Sequence, residues 1–138
     1  MCTMFNVSKP LLKVFSSEKK NKNTREKGLE FEDQALKYLT EQGLKLVDRN
    51  VHFSTGELDL IMRERDTLVF VEVRFRKHKR YGGAAASIGW DKQQKLVATA
   101  QLYLKQQFKN QPPPCRFDVI AIEGDSKHHL QWIKNAIG

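Results

Sequence analysis

Apolar residues along the chain follow two periods, one helical and one alternating, and the order of those periods predicts the fold. From about Thr24 to Gln42, Phe31, Ala35, Tyr38 and Leu39 recur at helical spacing, the mark of an amphipathic helix with one buried stripe. Gly43 follows as the glycine that ends it. Thr24 with Lys27 is only half a capping box, so the start is loosely defined. Lys45 to Phe53 alternates imperfectly, with Leu46, Asp48 and Asn50 against Val47, Val51 and Phe53 after a slip of phase. That predicts a strand with a bulge near Arg49-Asn50. Gly56–Met62 and Leu68–Arg76 are two short arms rich in β-branched and aromatic residues, joined across Arg63–Thr67; they predict a β-hairpin. A second long helix starts between Ser87 and Asp91 and ends near Asn110, with Leu96, Val97, Ala100, Leu104 and Phe108 as its stripe. Pro112-Pro113-Pro114 stops it. Arg116–Ile122 reads as a strand, Glu123–Ser126 as a turn and His128–Ile133 as a last edge strand.

The anomaly in this pattern is a pair of acids, Asp59 and Glu72, each set inside an apolar arm of the hairpin. Their register follows from the turn. A symmetric loop of two or four residues centred on Arg65-Asp66, counted outward, pairs Ile61 with Phe70, Asp59 with Glu72 and Glu57 with Arg74. Directly opposed Cβ atoms lie about 4.5–5.5 Å apart. The turn holds no Gly or Asn, which disfavours a tight primed turn and favours the four-residue loop. Two carboxylates facing each other on a buried strand pair repel, so a cation or a shared proton must offset them. Hard divalent cations such as magnesium are held by one or two carboxylates plus substrate phosphates. The plainer reading, in which Glu57 and Glu72 pair with Arg74 and Arg76 on a solvated edge, stays open from the hairpin alone.

Periodicity sorts the remaining candidates. Glu32 falls on the helix face of Gly28, Ala35, Leu36 and Leu39, whereas Glu30, Asp33, Lys37 and Glu41 fall on the polar side. Taken alone, Glu32 reads as a boundary residue in a salt bridge. Lys92 and Lys95 sit in the first turns of the second helix, against the usual preference for acids there. They are either solvated lysines or cations kept for an anionic ligand. After the hairpin, Arg74, Arg76, Lys77, Lys79 and Arg80 place five cations within seven residues, followed by Tyr81-Gly82-Gly83. A flexible basic loop beside an acidic pair suits a phosphate backbone; without that pair it would read as an exposed charged loop. His128-His129 is not a metal pair, because adjacent strand residues point to opposite faces.

Composition narrows the classes. The 138 residues are 40% hydrophobic and carry a formal charge of +8, which suits one domain with a polyanionic partner, most often nucleic acid. No apolar run is long enough to span a membrane, and no signal peptide is visible. Cys2 and Cys115, far apart, predict free thiols in a reducing cytoplasm. Met1–Asn23 is polar and lysine-rich towards its end, which predicts a flexible tail of residues 1–23 before a domain of residues 24–138.

Helix, three strands, helix, strand, strand resembles the αβββαβ core of the PD-(D/E)XK nuclease superfamily. The local motifs resemble the YraN-like family of uncharacterised proteins, themselves similar to Holliday junction resolvases. They are Gly28–Ala35 with Tyr38-Leu39, Arg49-Asn50, Gly56–Ile61, Leu68–Arg74, Lys92–Leu96, Arg116–Val119 and Asn135-Ala136. The resemblance implies an α/β, restriction-endonuclease-like domain with a mixed sheet flanked by two helices. It implies Asp59 and Glu72 as acids for Mg2+ or Mn2+, and Glu32 as the helix acid completing the metal site. The superfamily's lysine falls two residues after the second acid, where this chain has Arg74. Arginine stays protonated and cannot take a proton from water. Lys92 is the substitute the resemblance offers.

Two functions follow. The first is a nucleic-acid-binding, magnesium-dependent endonuclease acting on DNA, branched DNA included. Its catalytic set is Glu32, Asp59, Glu72, Arg74 and Lys92, and its phosphate contacts are Arg74, Arg76, Lys77, Lys79, Arg80 and Lys92. The second is a catalytically inactive nucleic-acid-binding or scaffold protein that kept the fold. Nucleic acid is the expected partner, a homodimer an allowed assembly, and no membrane is expected.

Overall fold

The computed structural model describes residues 22–76, 88–124 and 129–137. Helix α1 spans Lys22–Glu41, followed by strands β1 (Lys45–Phe53), β2 (Gly56–Glu64) and β3 (Thr67–Arg76). Helix α2 spans Trp90–Phe108, and strands β4 (Cys115–Glu123) and β5 (His129–Ile137) close the chain. The sheet runs β1-β2-β3-β4-β5. β1, β2 and β3 form an antiparallel meander, β3 pairs β4 in parallel, and β5 returns antiparallel on β4. The parallel pair needs a crossover, and α2 supplies it. Of the expected tail, residues 1–21 lie outside the described residues, and α1 has begun by Lys22, which leaves Thr24 inside the helix rather than at its cap. Lys77, Lys79, Arg80, Tyr81 and His128 also lie outside them.

Each helix covers one face of the sheet. On the α1 side, Phe31, Ala35 and Leu39 pack with Leu60, Met62, Val69, Val71, Ile120 and Ile122. On the α2 side, Leu96, Ala100 and Tyr103 pack with Leu58, Ile61, Leu68, Phe70 and Val119. The helical stripe read for α2 misses two buried members, Thr99 and Tyr103. A sheet covered on both faces needs strands apolar on both sides, and Leu68–Val71 is such a run, buried throughout. α1 ends as its sequence requires. Gly43 takes φ +103°, and the Leu44 and Gly43 N–H groups donate to the Leu39 and Thr40 carbonyls, each at 3.0 Å. That is a Schellman closure, and Leu44 is buried in the α1-side core.

Three local expectations are corrected. The hairpin loop has two residues, not four: Glu64 pairs Thr67 and Arg65 takes φ +56°. The ladder runs to the tip, and a non-glycine residue adopts the left-handed conformation to close it. The bulge in β1 falls between Leu46 and Asp48 rather than at Arg49-Asn50, although Asn50 does take φ +53°. The β2–β3 ladder stops at Leu60↔Val71, so neither Asp59 with Glu72 nor Glu57 with Arg74 is a ladder pair as the register predicted; Glu57 pairs His52 of β1 instead.

Asp118 is a buried structural acid, with no exposure to solvent. It accepts from Arg116 Nε at 3.0 Å, Trp132 Nε1 at 2.9 Å and the Asn135 N–H at 2.9 Å. Arg116 also donates to Glu64 at 2.7 Å. This network fixes the irregularity in the β4–β5 ladder between Phe117 and Val119, opposite which Asn135 takes φ +54°.

Candidate active site

A cleft of about 310 Å³ opens at the C-terminal end of β3, lined by Gly28, Phe31, Glu32, Glu57, Asp59, Glu72, Val73, Arg74, Phe75 and Lys92. Its origin is the early end of the β2–β3 ladder. Past Leu60 and Val71 the two strands part, and Leu58 belongs to the α2-side core while Leu60 belongs to the α1-side core. Strict alternation would put both on one face, so the strand turns at Asp59. The Asp59 side chain lies in the gap and its Oδ2 accepts from the Val73 N–H at 3.0 Å. It replaces the ladder bond that the parting removes and keeps that buried donor satisfied.

Side chains from both faces of the sheet reach this gap. Val73 and Phe75 pack on the α1 side, so Glu72 and Arg74 point to the α2 side. There Lys92 Nζ lies 3.6 Å from Glu72 Oε2, and Arg74 Nη1 lies 3.8 Å from the same oxygen. From the other face, α1 is anchored over the end of β3 by stacked Phe31 and Phe75 rings, 4.1 Å between centroids, which sets Glu32 on the cleft wall. Arg49 Nη2 holds it at 3.5 Å while pairing with Asp33 at 3.0 Å, and Asn50 adds a hydrogen bond.

The electrostatics are those of a crowded, desolvated acid cluster. Burial raises the Glu72 carboxyl to about 8, with the Asp59 charge adding to the rise and Lys92 and Arg74 opposing it. Asp59 is also raised by burial, against the bond from Val73. Both carboxyls are thus raised chiefly by burial, and the two act on each other. Glu32 is raised to about 7 by burial and then by the Asp59 charge, with Arg49 and Asn50 opposing.

Asp59, Glu72, Glu32, Arg74 and Lys92 therefore border one cleft. Arg76 is exposed at the end of β3, and Lys77, Lys79 and Arg80 lie outside the described residues. Among the described residues no three His, Cys, Asp or Glu side chains stand close enough to hold a metal ion together. Glu32, tied to Arg49 and Asn50, stands back, which leaves a two-carboxylate arrangement. Sequence reasoning assigned no role to Arg49 and Asn50, although the motif containing them was visible. It also assigned none to Gly28, whose bare backbone forms part of the cleft wall.

Fold and cleft define a class: an α/β protein with a restriction-endonuclease-like core, a five-stranded mixed sheet between two helices. A family model described as Uncharacterised protein family UPF0102 matches residues 31–122. The chain is 56% identical over 106 residues to a UPF0102 protein of Janthinobacterium sp. (strain Marseille), covering 77% of this chain and 82% of that one. It is 49% identical over 117 residues to a UPF0102 protein of Alcanivorax borkumensis, covering 83% and 91%. A UPF0102 protein of Colwellia psychrerythraea is 46% identical over 119 residues, covering 85% and 92%. The chain belongs to the UPF0102, or YraN-like, family. No helix among the described residues is long and apolar enough to cross a membrane.

Proposed function

We propose that this chain is a nucleic-acid-binding member of the PD-(D/E)XK nuclease superfamily, and that its cleft hydrolyses DNA phosphodiester bonds, branched DNA included, with magnesium or manganese. The observation that carries this reading is the Asp59–Glu72 pair, read against Asp118. A structural acid in this fold looks like Asp118, matched by a guanidinium, an indole and a backbone N–H at 2.9–3.0 Å. Asp59 and Glu72 share a hydrogen bond, and the nearest cations to Glu72 stand 3.6 and 3.8 Å away. That arrangement keeps a buried Glu72 and a half-buried Asp59 at elevated pKa, which is common at functional sites.

The donor set fits a hard divalent cation: two carboxylates, with room in the cleft for phosphate oxygens. Asp59 and Glu72 would hold it in place of their shared proton, with Glu32 behind them on the cleft wall. When bound, such an ion polarises the scissile phosphate and acidifies a neighbouring water. The chain's own groups supply the rest. The Arg74 guanidinium donates to a phosphate oxygen and orients the backbone, but exchanges no proton. Lys92, whose ammonium stands 3.6 Å from Glu72 Oε2, binds a second phosphate oxygen and stabilises the charge that develops on it. Water adds to phosphorus and gives its proton to solvent, the bond to one sugar oxygen breaks, and that oxygen takes a proton from solvent.

A second reading, a catalytically inactive nucleic-acid-binding or scaffold protein, draws on Arg74 itself. It stands where the superfamily has lysine, and it is ion-paired to Glu72, as a clamp would be. Incubating purified protein with branched, flapped and linear DNAs, in magnesium and in manganese, separates the two. The nuclease reading expects cleavage of at least one DNA, abolished in Asp59→Asn while binding persists. Inactivity of both wild type and Arg74→Lys on every DNA with either metal replaces it with the second reading.

A further inference from the structure

We propose that Arg49 and Asn50 of β1 are positioning residues that hold Glu32 back on the cleft wall, so that a divalent cation at Asp59 and Glu72 keeps coordination positions open for phosphate and water; this rests on the metal reading above. The two side chains that converge on Glu32 are neighbours on one strand. Arg49 Nη2 lies 3.5 Å from Glu32 Oε1, and the Asn50 amide donates to the same carboxylate. Successive strand residues point to opposite faces, so a regular strand would present only one of them to α1. Asn50 departs from that rule with φ +53°, in the left-handed region that asparagine reaches more readily than other non-glycine residues. The departure falls at the rung opposite Asp59. On either side of it Arg49 pairs Leu60 and Val51 pairs Leu58, and those two leucines pack on the α1 side and the α2 side respectively. The twist that opens the cleft in β2 thus also turns Asn50 onto Glu32.

The holder restrains Glu32 more than it neutralises it. One nitrogen, Arg49 Nη2, serves both Glu32 and Asp33, and the shorter contact, 3.0 Å, goes to Asp33. The Asp33 side chain is 67% exposed against 14% for Glu32. Arg49 Nε is buried with no hydrogen-bond partner among the described residues. A guanidinium placed to neutralise a buried acid makes two parallel hydrogen bonds to it. This one is anchored on Asp33 at the surface and reaches Glu32 with a single nitrogen. Glu32 lines the same cleft as Asp59 and Glu72, near enough for the Asp59 charge to act on it. Yet among the described residues no three acids stand close enough to hold an ion together. A hard cation held by two carboxylates keeps places for waters and substrate phosphate, whereas a third carboxylate would take one of them.

Loosening the holder and disturbing the fold leave different signatures. The test titrates manganese calorimetrically into metal-free protein at pH 8.5 and counts the waters on the bound ion by water-proton relaxation. Wild type is compared with Asn50→Gly, which keeps the left-handed backbone accessible and removes no charge, and with Arg49→Met. Each variant is made alone and together with Glu32→Gln, and each is shown folded by its thermal melt. Asn50→Gly and Arg49→Met should each bind manganese about 2- to 10-fold more tightly and lose about one bound water, because the released carboxylate joins Asp59 and Glu72. Together with Glu32→Gln neither should change the water count, and any tightening that Arg49→Met keeps there is the effect of its lost charge alone. A water count unchanged in both variants, manganese binding in Asn50→Gly no tighter than in wild type, or effects of Asn50→Gly that persist with Glu32→Gln overturn the holder while leaving the metal reading intact. Wild type that binds no manganese overturns both.

Discussion

Burial, with the Asp59 charge beside it, pushes the Glu72 carboxyl well above its ordinary value, and that has a consequence for folding. The Glu72 carboxyl titrates near 8 in the folded protein, against an ordinary value of 4.5. Between those values the folded state binds more protons than the unfolded one, so stability falls as pH rises through that window. Replacing Glu72 with Gln removes the penalty. Glu72→Gln should therefore be more stable than wild type at pH 8, by on the order of 2 kcal/mol. The difference should shrink toward zero near pH 5, as read by denaturant unfolding of metal-free protein. Equal stability at both pH values would mean that the pair is not desolvated.

Arg74 carries the second prediction at this scale. Its ion pair with Glu72 is long and partly exposed, so it contributes about 0–1 kcal/mol and folding should survive its loss. Arg74→Lys should keep or raise cleavage, and Arg74→Ala should lower cleavage far more than binding. Equal losses of binding and cleavage in Arg74→Ala would leave it an affinity residue only. Counting outward from Arg65-Asp66 gave the right register as far as Leu60↔Val71, because it is insensitive to whether the loop holds two residues or four, but Asp59 and Glu72 lie past the end of that ladder. The tethering of Glu32 by Arg49 and Asn50 was not legible, because it depends on how α1 crosses β1.

At the scale of elements, the cleft exists because β2 leaves β3 at Asp59 and because α1 presents no side chain at Gly28. A glycine within a helix costs about 0.5–1 kcal/mol relative to alanine. Nothing in the packing requires one here: an added Cβ at Gly28 meets nothing within 4 Å. Gly28→Ala should therefore stabilise the fold by about that amount. Gly28→Leu, which fills the cleft, should weaken DNA binding without lowering the melting temperature. Unchanged binding in Gly28→Leu would remove this wall from the interface. The helices and the hairpin register were legible from periodicity. The parting of the strands was not, since Leu58, Asp59 and Leu60 read as ordinary alternation, and the turn comes from Asp59 taking a backbone donor of β3. The place of the β1 bulge was missed for a related reason: Asn50 in the left-handed region marks a twist, while the extra residue falls earlier, at Val47.

For the whole molecule, a formal charge of +8 makes any nucleic-acid affinity strongly salt-dependent, and the slope reports how many phosphates the protein neutralises. Each cation removed from a phosphate should reduce the log–log slope by about 0.9 on duplex DNA. Neutralising Lys77, Lys79 and Arg80 together should weaken binding and flatten the slope by up to about three such steps. An unchanged slope would show that these residues face solvent only.

The nuclease reading stands on Asp59 and Glu72 holding a divalent cation in exchange for a proton, and calorimetric titration of manganese into the metal-free protein measures that exchange. Run at pH 6.5 and 8.5, in buffers of different ionisation enthalpy, wild type should bind more tightly at the higher pH and release protons on binding. Asp59→Asn should lose the site. Manganese binding that is absent in wild type, or that survives undiminished in Asp59→Asn, would show that the acidic pair holds no metal.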